Sequence, residues 1–405
     1  MNLRPAVIVL GLAGLLATCR GAPPARRQEE VLARLVDSLR PSVERAAGLT
    51  FRSIPKSATR SREQVRSYLV AMMRRQLPAY KLHALETSYQ LFGLLPDTLD
   101  LEGLLLNVLS EQVVGFYDPD STTLFGVRGG DRGQLAVVVA HELVHALQDD
   151  YLPLDSILAE KDDNDRSTAA QAILEGQATY VSLKALAPGQ DMGGIMEVLR
   201  ETVKQQRGSM PEFANAPLLL REGLVFPYVD GAAFMLWWER SPFRDTMPYG
   251  RRMPRSTEQI LHPDRYARGD APVPVRFADR AEGVLAEDDL GELEIRILAA
   301  QLAGRDEVSE GLPLGWGGDR YRVYQTPAGP ALVWYVVFDD ARSADRFLAG
   351  TGRLLAAQTR ARYHGEVTGL TIGGRPGMRY VFAPGSWTGW GRMPGVAVSG
   401  NKGER

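Results

Sequence analysis

Residues 137–150 read VVVAHELVHALQDD, two histidines four apart with a glutamate directly after the first. On a helix, positions i and i+4 lie on one face a turn apart, so His141 and His145 can aim their imidazoles at one point. Neutral imidazole is a natural zinc ligand, and two on one rigid helix make a preorganised half-site. Glu142 is rotated by one residue, too far for comfortable ligation. It can instead reach a water at the metal's open position and take its proton. The five-letter pattern is weak by itself, and its flanks strengthen it. Val138, Val139, Leu143, Val144, Ala146 and Leu147 are uncharged, which predicts a helix from near Gly133 to near Asp150, buried nearly all round. Two histidines and a glutamate in such a place need partners, and a metal provides them. The competing reading is a solvent-facing helix with incidental histidines.

A catalytic zinc site takes three protein ligands, so one more is required. The chain has only five histidines (His83, His141, His145, His262 and His364), and its context singles out a carboxylate instead. Glu175 sits in AILEGQATY, within a predicted helix from about Ser167 to Ala187, among Ile173, Leu174, Ala178 and Tyr180. An unpaired carboxylate there would be costly to bury. Gly176 permits close approach of a neighbouring helix. The alternative is an exposed glutamate on an amphipathic helix.

HELVH followed by a glutamate in an LEGQATY context resembles the gluzincin group of zincin-fold metallopeptidases. The resemblance covers roughly residues 113–265, with two short motifs as its specific part. It implies a zincin-like core in which His141, His145 and Glu175 bind Zn2+ and Glu142 acts as general base on a peptide or protein substrate. It also implies an oxyanion donor beyond the glutamate helix, for which Tyr228 in FPYVDGAAF and His262 in STEQILHPDRY are the candidates. Departures are visible: Leu174 stands where an asparagine is usual, and Thr179 where several members have an aspartate holding a histidine. Asp149 and Asp150 are further candidates for orienting a ligand. The chain more closely resembles uncharacterised bacterial exported proteins that pair GFYDP, HELVHALQD and STEQILHP segments. Zincins bind extended substrates along a rim strand. The segment VVGFYDPDSTTLFGV (113–127) reads as a β-hairpin turning at Asp118-Pro119-Asp120-Ser121, and one of its strands is expected to border the site.

Around this core the organisation is coarser. Hydrophobic content of 44% and charged content of 24% are those of a globular chain, and 405 residues suffice for two or three domains. A net charge of −2 gives no electrostatic case for nucleic acid, and nothing signals an oligomeric state. Residues 1–22 form a signal or lipoprotein segment. The apolar run from Ala6 to Ala17 is short for a membrane span, and Leu16-Ala17-Thr18-Cys19 resembles a lipobox, with Thr18 where a smaller residue is usual. An exported protein tied to the membrane through lipidated Cys19, its sole cysteine, is expected, with a periplasmic or secreted protein or an uncleaved anchor as the alternatives. Residues 23–110 read as helical, with stripes at 27–47, 61–76 (Ser61 and Gln64 as a capping box) and 80–93. Residues 111–270 are the catalytic core, with further helices near 190–206 and 228–240. Residues 271–397 read as a separate α+β domain. It has extended APVPVRF, a helix over 286–303, strands at 320–326 and 331–338, a helix over 342–358 capped by Asp340, and strands at 362–368 and 377–383. GWGGDR reads as a domain-joining turn, and the tail SGNKGER as disordered. His83 and His364 carry no functional signal. The fold class expected is α+β. A second functional reading, an envelope binding or assembly lipoprotein with idle or structural zinc, is disfavoured because a closed four-ligand site has no use for Glu142.

Overall fold

The computed structural model describes residues 7–10, 25–129, 132–157, 163–206, 210–280, 282–308 and 315–398. The lipobox-like stretch at Cys19 and the tail SGNKGER lie outside the described residues. The fold is mixed α+β, with a helical N-terminal part and a C-terminal sheet domain.

Along the chain, β1 (Val7–Leu10) and α1 (Ala25–Ala47) are followed by β2 (Lys56–Arg60), α2 (Arg62–Gln76), α3 (Ala79–Phe92) and α4 (Leu101–Gln112). The capping box at Ser61 is formed: the Gln64 amide N–H donates to Ser61 Oγ at 3.3 Å, and Gln64 Oε1 accepts from Ser61 N–H at 2.9 Å. Strands β3 (Val113–Asp118) and β4 (Thr123–Val127) form the hairpin, in antiparallel register from Gly115↔Gly126 to Asp118↔Thr123. Ser121 Oγ donates to Asp118 Oδ2 at 2.6 Å and closes its turn. The sheet order is β1-β3-β4-β2, with β2 parallel to β4 and β1 antiparallel to β3.

The histidine helix, α5 (Arg132–Tyr151), packs on this sheet and on α1. After a single turn, α6 (Leu154–Ile157), comes the glutamate helix, α7 (Asn164–Leu186). Helices α8 (Met192–Gln206), α9 (Pro211–Ala214) and α10 (Leu218–Arg240) follow. Helix α10 starts ten residues earlier than its sequence suggests. Pro227 reads as a breaker, yet the helix runs through it, because burial of Leu218, Leu219, Leu220 and Phe226 outweighs a proline cost of about 3 kcal/mol. Two short helices, α11 (Thr257–Leu261) and α12 (Pro263–Ala267), meet at His262.

The C-terminal domain is a five-stranded antiparallel sheet, order β6-β7-β8-β10-β9, with a small two-stranded ribbon beside it. The ribbon's β5 (Val275–Phe277) comes first, then β6 (Val284–Asp288), α13 (Gly291–Leu302), β7 (Trp316–Tyr324) and β8 (Ala331–Phe338). Helices α14 (Ala341–Phe347) and α15 (Arg353–Ala356) flank a wider turn, and β9 (Tyr363–Ile372), β10 (Arg375–Pro384) and β11 (Val396–Val398) complete it. Asp340 caps α14 by accepting from Ser343 N–H at 2.8 Å. Two expectations need correction. The helix over 286–303 begins as a strand, β6, before α13. GWGGDR is no turn: it opens β7, and Gly318 lies where a Cβ would come within 2.4 Å of the Val273 carbonyl oxygen. Asp319 in that motif is buried and accepts from the indoles of Trp316 (3.0 Å) and Trp334 (2.8 Å) and the amides of Leu290 and Gly291.

This domain packs on the helical body through a shared apolar layer. Phe92 of α3 meets Tyr321 and Trp334 edge-on, each at 5.2 Å between ring centroids. It also holds the glutamate helix by its N-terminus. Asp288 Oδ1 accepts from Asn164 N–H at 2.9 Å, and Asp289 Oδ1 from Asp165 N–H at 2.8 Å. Carboxyl oxygens there satisfy the first-turn amides of the helix. Among the described residues no helix is long and apolar enough to cross a membrane.

Candidate metal centre

Helices α5 and α7 lie against each other with their functional residues facing. His141 Nε2 lies 2.9 Å from His145 Nε2 and 3.2 Å from Glu175 Oε2, and His145 Nε2 lies 3.4 Å from that same oxygen. The expected ligand trio is therefore one compact triangle. Zinc bonds of about 2.0–2.1 Å at tetrahedral angles separate neighbouring ligand atoms by about 3.3 Å, which these three edges match. His141, His145 and Glu175 are 4%, 1% and 1% exposed, too dry for an unneutralised carboxylate. This group could hold a metal ion, and the donor set of two imidazoles and a carboxylate suits zinc.

The electrostatics agree. Burial would raise the Glu175 carboxyl, but His145 and His141 beside it bring it down to about 2. Burial lowers the His141 imidazole to about 4, against the pull of Glu175. At neutral pH the trio thus holds a carboxylate and an unprotonated His141, the forms that bind metals.

Close helix packing brings a fourth side chain in. A Cβ on Gly176 would fall 2.2 Å from the carbonyl carbon of Gly231, and one on Gly231 would fall 2.1 Å from the Ala172 carbonyl oxygen. Glycine at both positions lets α10 cross α7 backbone to backbone. Tyr228, one turn before Gly231, then stacks on His141 with ring centroids 5.9 Å apart. Glu142 is fully buried, and its Oε2 accepts from the Tyr117 amide of β3 at 2.7 Å. The hairpin thus touches Glu142 through a strand amide.

His262 is placed elsewhere. Its Nε2 meets Glu292 Oε1 at 3.1 Å and Arg296 Nη2 at 2.8 Å, an ion network on α13, and it makes no hydrogen bond to the trio. Asp149 and Asp150 each tie the end of the histidine helix to other parts of the fold. Asp149 accepts from the Tyr117 hydroxyl at 2.8 Å, and Asp150 from the amides of Arg52 (2.8 Å) and Ser53 (3.1 Å). Thr179 Oγ1 is buried without a hydrogen-bond partner. The residue that does hold a histidine is Gln148, whose Oε1 lies 2.7 Å from His145 Nδ1. Sequence reading missed it, although its place three residues after His145 put it on the right face.

Residues 279–386 match a domain family of unknown function, DUF8575, which falls within the C-terminal sheet domain and outside the metal centre. A solved structure from Chloroflexus aurantiacus, described as a candidate hydrolase with a novel fold, is similar over 61% of this chain and 92% of its own, at 18% identity and a TM-score of 0.41. A likeness that weak carries no argument about activity. Among curated proteins none matches the chain.

Proposed function

We propose that the protein is a zinc-dependent metallopeptidase with a zincin-like core. The observation that carries the reading is the buried triangle of His141, His145 and Glu175, with Glu142 next to the first ligand on the same helix. When bound, zinc would supply a Lewis acid and lower the pKa of a water to about 7. His141, His145 and Glu175 would hold it with three protein ligands, leaving a position for chemistry.

The chain's own residues would do the rest. Glu142, its carboxylate pinned at Oε2 by the Tyr117 amide, accepts the proton of the attacking water and passes it to the leaving amine. Tyr228, stacked beside His141, donates to the oxyanion as it forms. His262 drops out of this role, since Glu292 and Arg296 occupy it. Strand β3 supports a peptide substrate over other amides. Its edge can take an extended segment antiparallel, as residues 7–10 of the export segment pair Val7↔Tyr117 and Ile8↔Phe116, and a substrate peptide would add in the same way once that segment is removed. Export and a lipid anchor at Cys19 belong to the same proposal.

The test is Glu142→Gln, which keeps shape and removes the base. Purified wild-type chain should cleave a quenched peptide library, and the variant should lose at least about 10³-fold in kcat with its zinc retained. A variant as active as wild type would sink the mechanism.

A further inference from the structure

Gln148 is buried, and every polar atom of its amide is engaged. Its Nε2 donates to the Leu174 carbonyl at 2.9 Å and to Gln177 Oε1 at 2.9 Å, and lies 3.3 Å from the Tyr249 hydroxyl. A backbone carbonyl can only accept, so the nitrogen is assigned to that side and the oxygen faces His145 Nδ1 at 2.7 Å. An amide oxygen cannot donate. The proton of the neutral imidazole must therefore sit on Nδ1, which leaves the Nε2 lone pair aimed at His141 and Glu175. The Tyr249 hydroxyl donates in turn to Gln177 Oε1, so the loop after α10 closes the network.

From this we infer that Gln148 is a positioning residue of the metal centre: it selects the tautomer and ring orientation of His145, and Gln177 and Tyr249 hold it in place. The inference rests on the metallopeptidase reading above. Support of this kind comes here from the histidine helix itself. Thr179, on the glutamate helix, makes no hydrogen bond through its Oγ1. Outer hydrogen bonds of this type raise the basicity of a ligand and fix its direction, and their loss lowers metal affinity by about 10–100-fold.

Zinc alone is the probe, titrated against a chromophoric chelator on the full chain. Gln148→Met keeps the volume but has no good acceptor for the Nδ1 proton, and its zinc Kd should rise about 10–100-fold. Gln148→Glu, as the neutral acid favoured by burial, restores the acceptor while its O–H donates to the Leu174 carbonyl, and it should bring the Kd back to within about threefold of wild type, a rescue that packing would not give. Tyr249→Phe keeps the ring, folds with the least disturbance, and should weaken binding a few-fold, on the order of one hydrogen bond. Equal zinc affinity in wild type, Gln148→Met and Tyr249→Phe would overturn the positioning role, as would Gln148→Glu binding no better than Gln148→Met. A wild-type chain that takes up no zinc would overturn the metal centre itself, and this role with it.

Discussion

Gly176→Ala should separate catalysis from metal binding. The added methyl would lie 2.2 Å from the carbonyl carbon of Gly231, where carbon atoms rest at about 3.5 Å or more, so α10 must retreat from α7 by roughly 1.3 Å. Overpacking of this kind costs about 1–3 kcal/mol, and alanine's better helix propensity returns about 1. The net loss is then about 0–2 kcal/mol, or a fall of at most roughly 2 °C in Tm for a chain of this length. The zinc ligands stay, because α7 remains tied to α5 through Gln148, Leu174 and Gln177. Tyr228 moves with α10, and a displacement of about 1 Å from the reacting geometry can cost on the order of 100-fold. We expect kcat/KM on a quenched peptide library to fall about 10–100-fold, with zinc per chain unchanged. Unaltered activity and Tm would show that the helices do not cross at this distance, and would refute the placement of Tyr228.

Further expectations follow from individual contacts. Tyr228→Phe should lower kcat by about 10–100-fold and leave zinc content unchanged, the signature of a lost oxyanion donor. His262→Ala should keep activity and zinc but lower Tm in a thermal melt, since the ring is a partner of Glu292 and Arg296 and not of the trio; loss of activity in a folded variant would restore it to the site. Burial raises the carboxyls of Asp288 to about 6, Glu294 to about 7 and Glu258 to about 9, the last helped by Glu292. Carboxyls raised on folding bind extra protons in the native state, so their contribution is full below about pH 4 and is lost as pH rises through 6 to 9. The zinc-free chain should therefore melt higher near pH 5 than near pH 9, and Glu258→Gln should flatten the upper part of that slope; a melt that rises toward pH 9 would contradict the assignment.

Much of the site was legible because its signals are local. Histidines four apart with apolar flanks predict both the helix and its buried face, and a glutamate among Ile173, Leu174 and Ala178 invites a partner. The hairpin was readable from its Asp-Pro-Asp-Ser turn, and α2 and α14 from their caps. What escaped depends on distant contacts. Helix α10 passes through Pro227 because its flanks are buried, which no local rule shows. Short β2 exists only as a partner of β4, and GWGGDR becomes a strand because Val273 lies across Gly318. His262 looked catalytic as a rare residue beside a proline, yet Glu292, thirty residues on, claims it. The closing QDD of the opening stretch has a clear division of labour in three dimensions. Gln148 holds His145, Asp149 holds Tyr117, and Asp150 holds the chain at Arg52.

The central claim is that His141, His145 and Glu175 are the three protein ligands of one zinc. The most direct measurement is zinc content, with X-ray absorption at the zinc edge, on wild type and on His145→Ala. The account predicts about one zinc per wild-type chain in a shell of nitrogen and oxygen at about 2.0–2.1 Å, and little retained zinc in the variant. A wild-type chain without zinc, or a His145→Ala chain that keeps it in an unchanged shell, would contradict it.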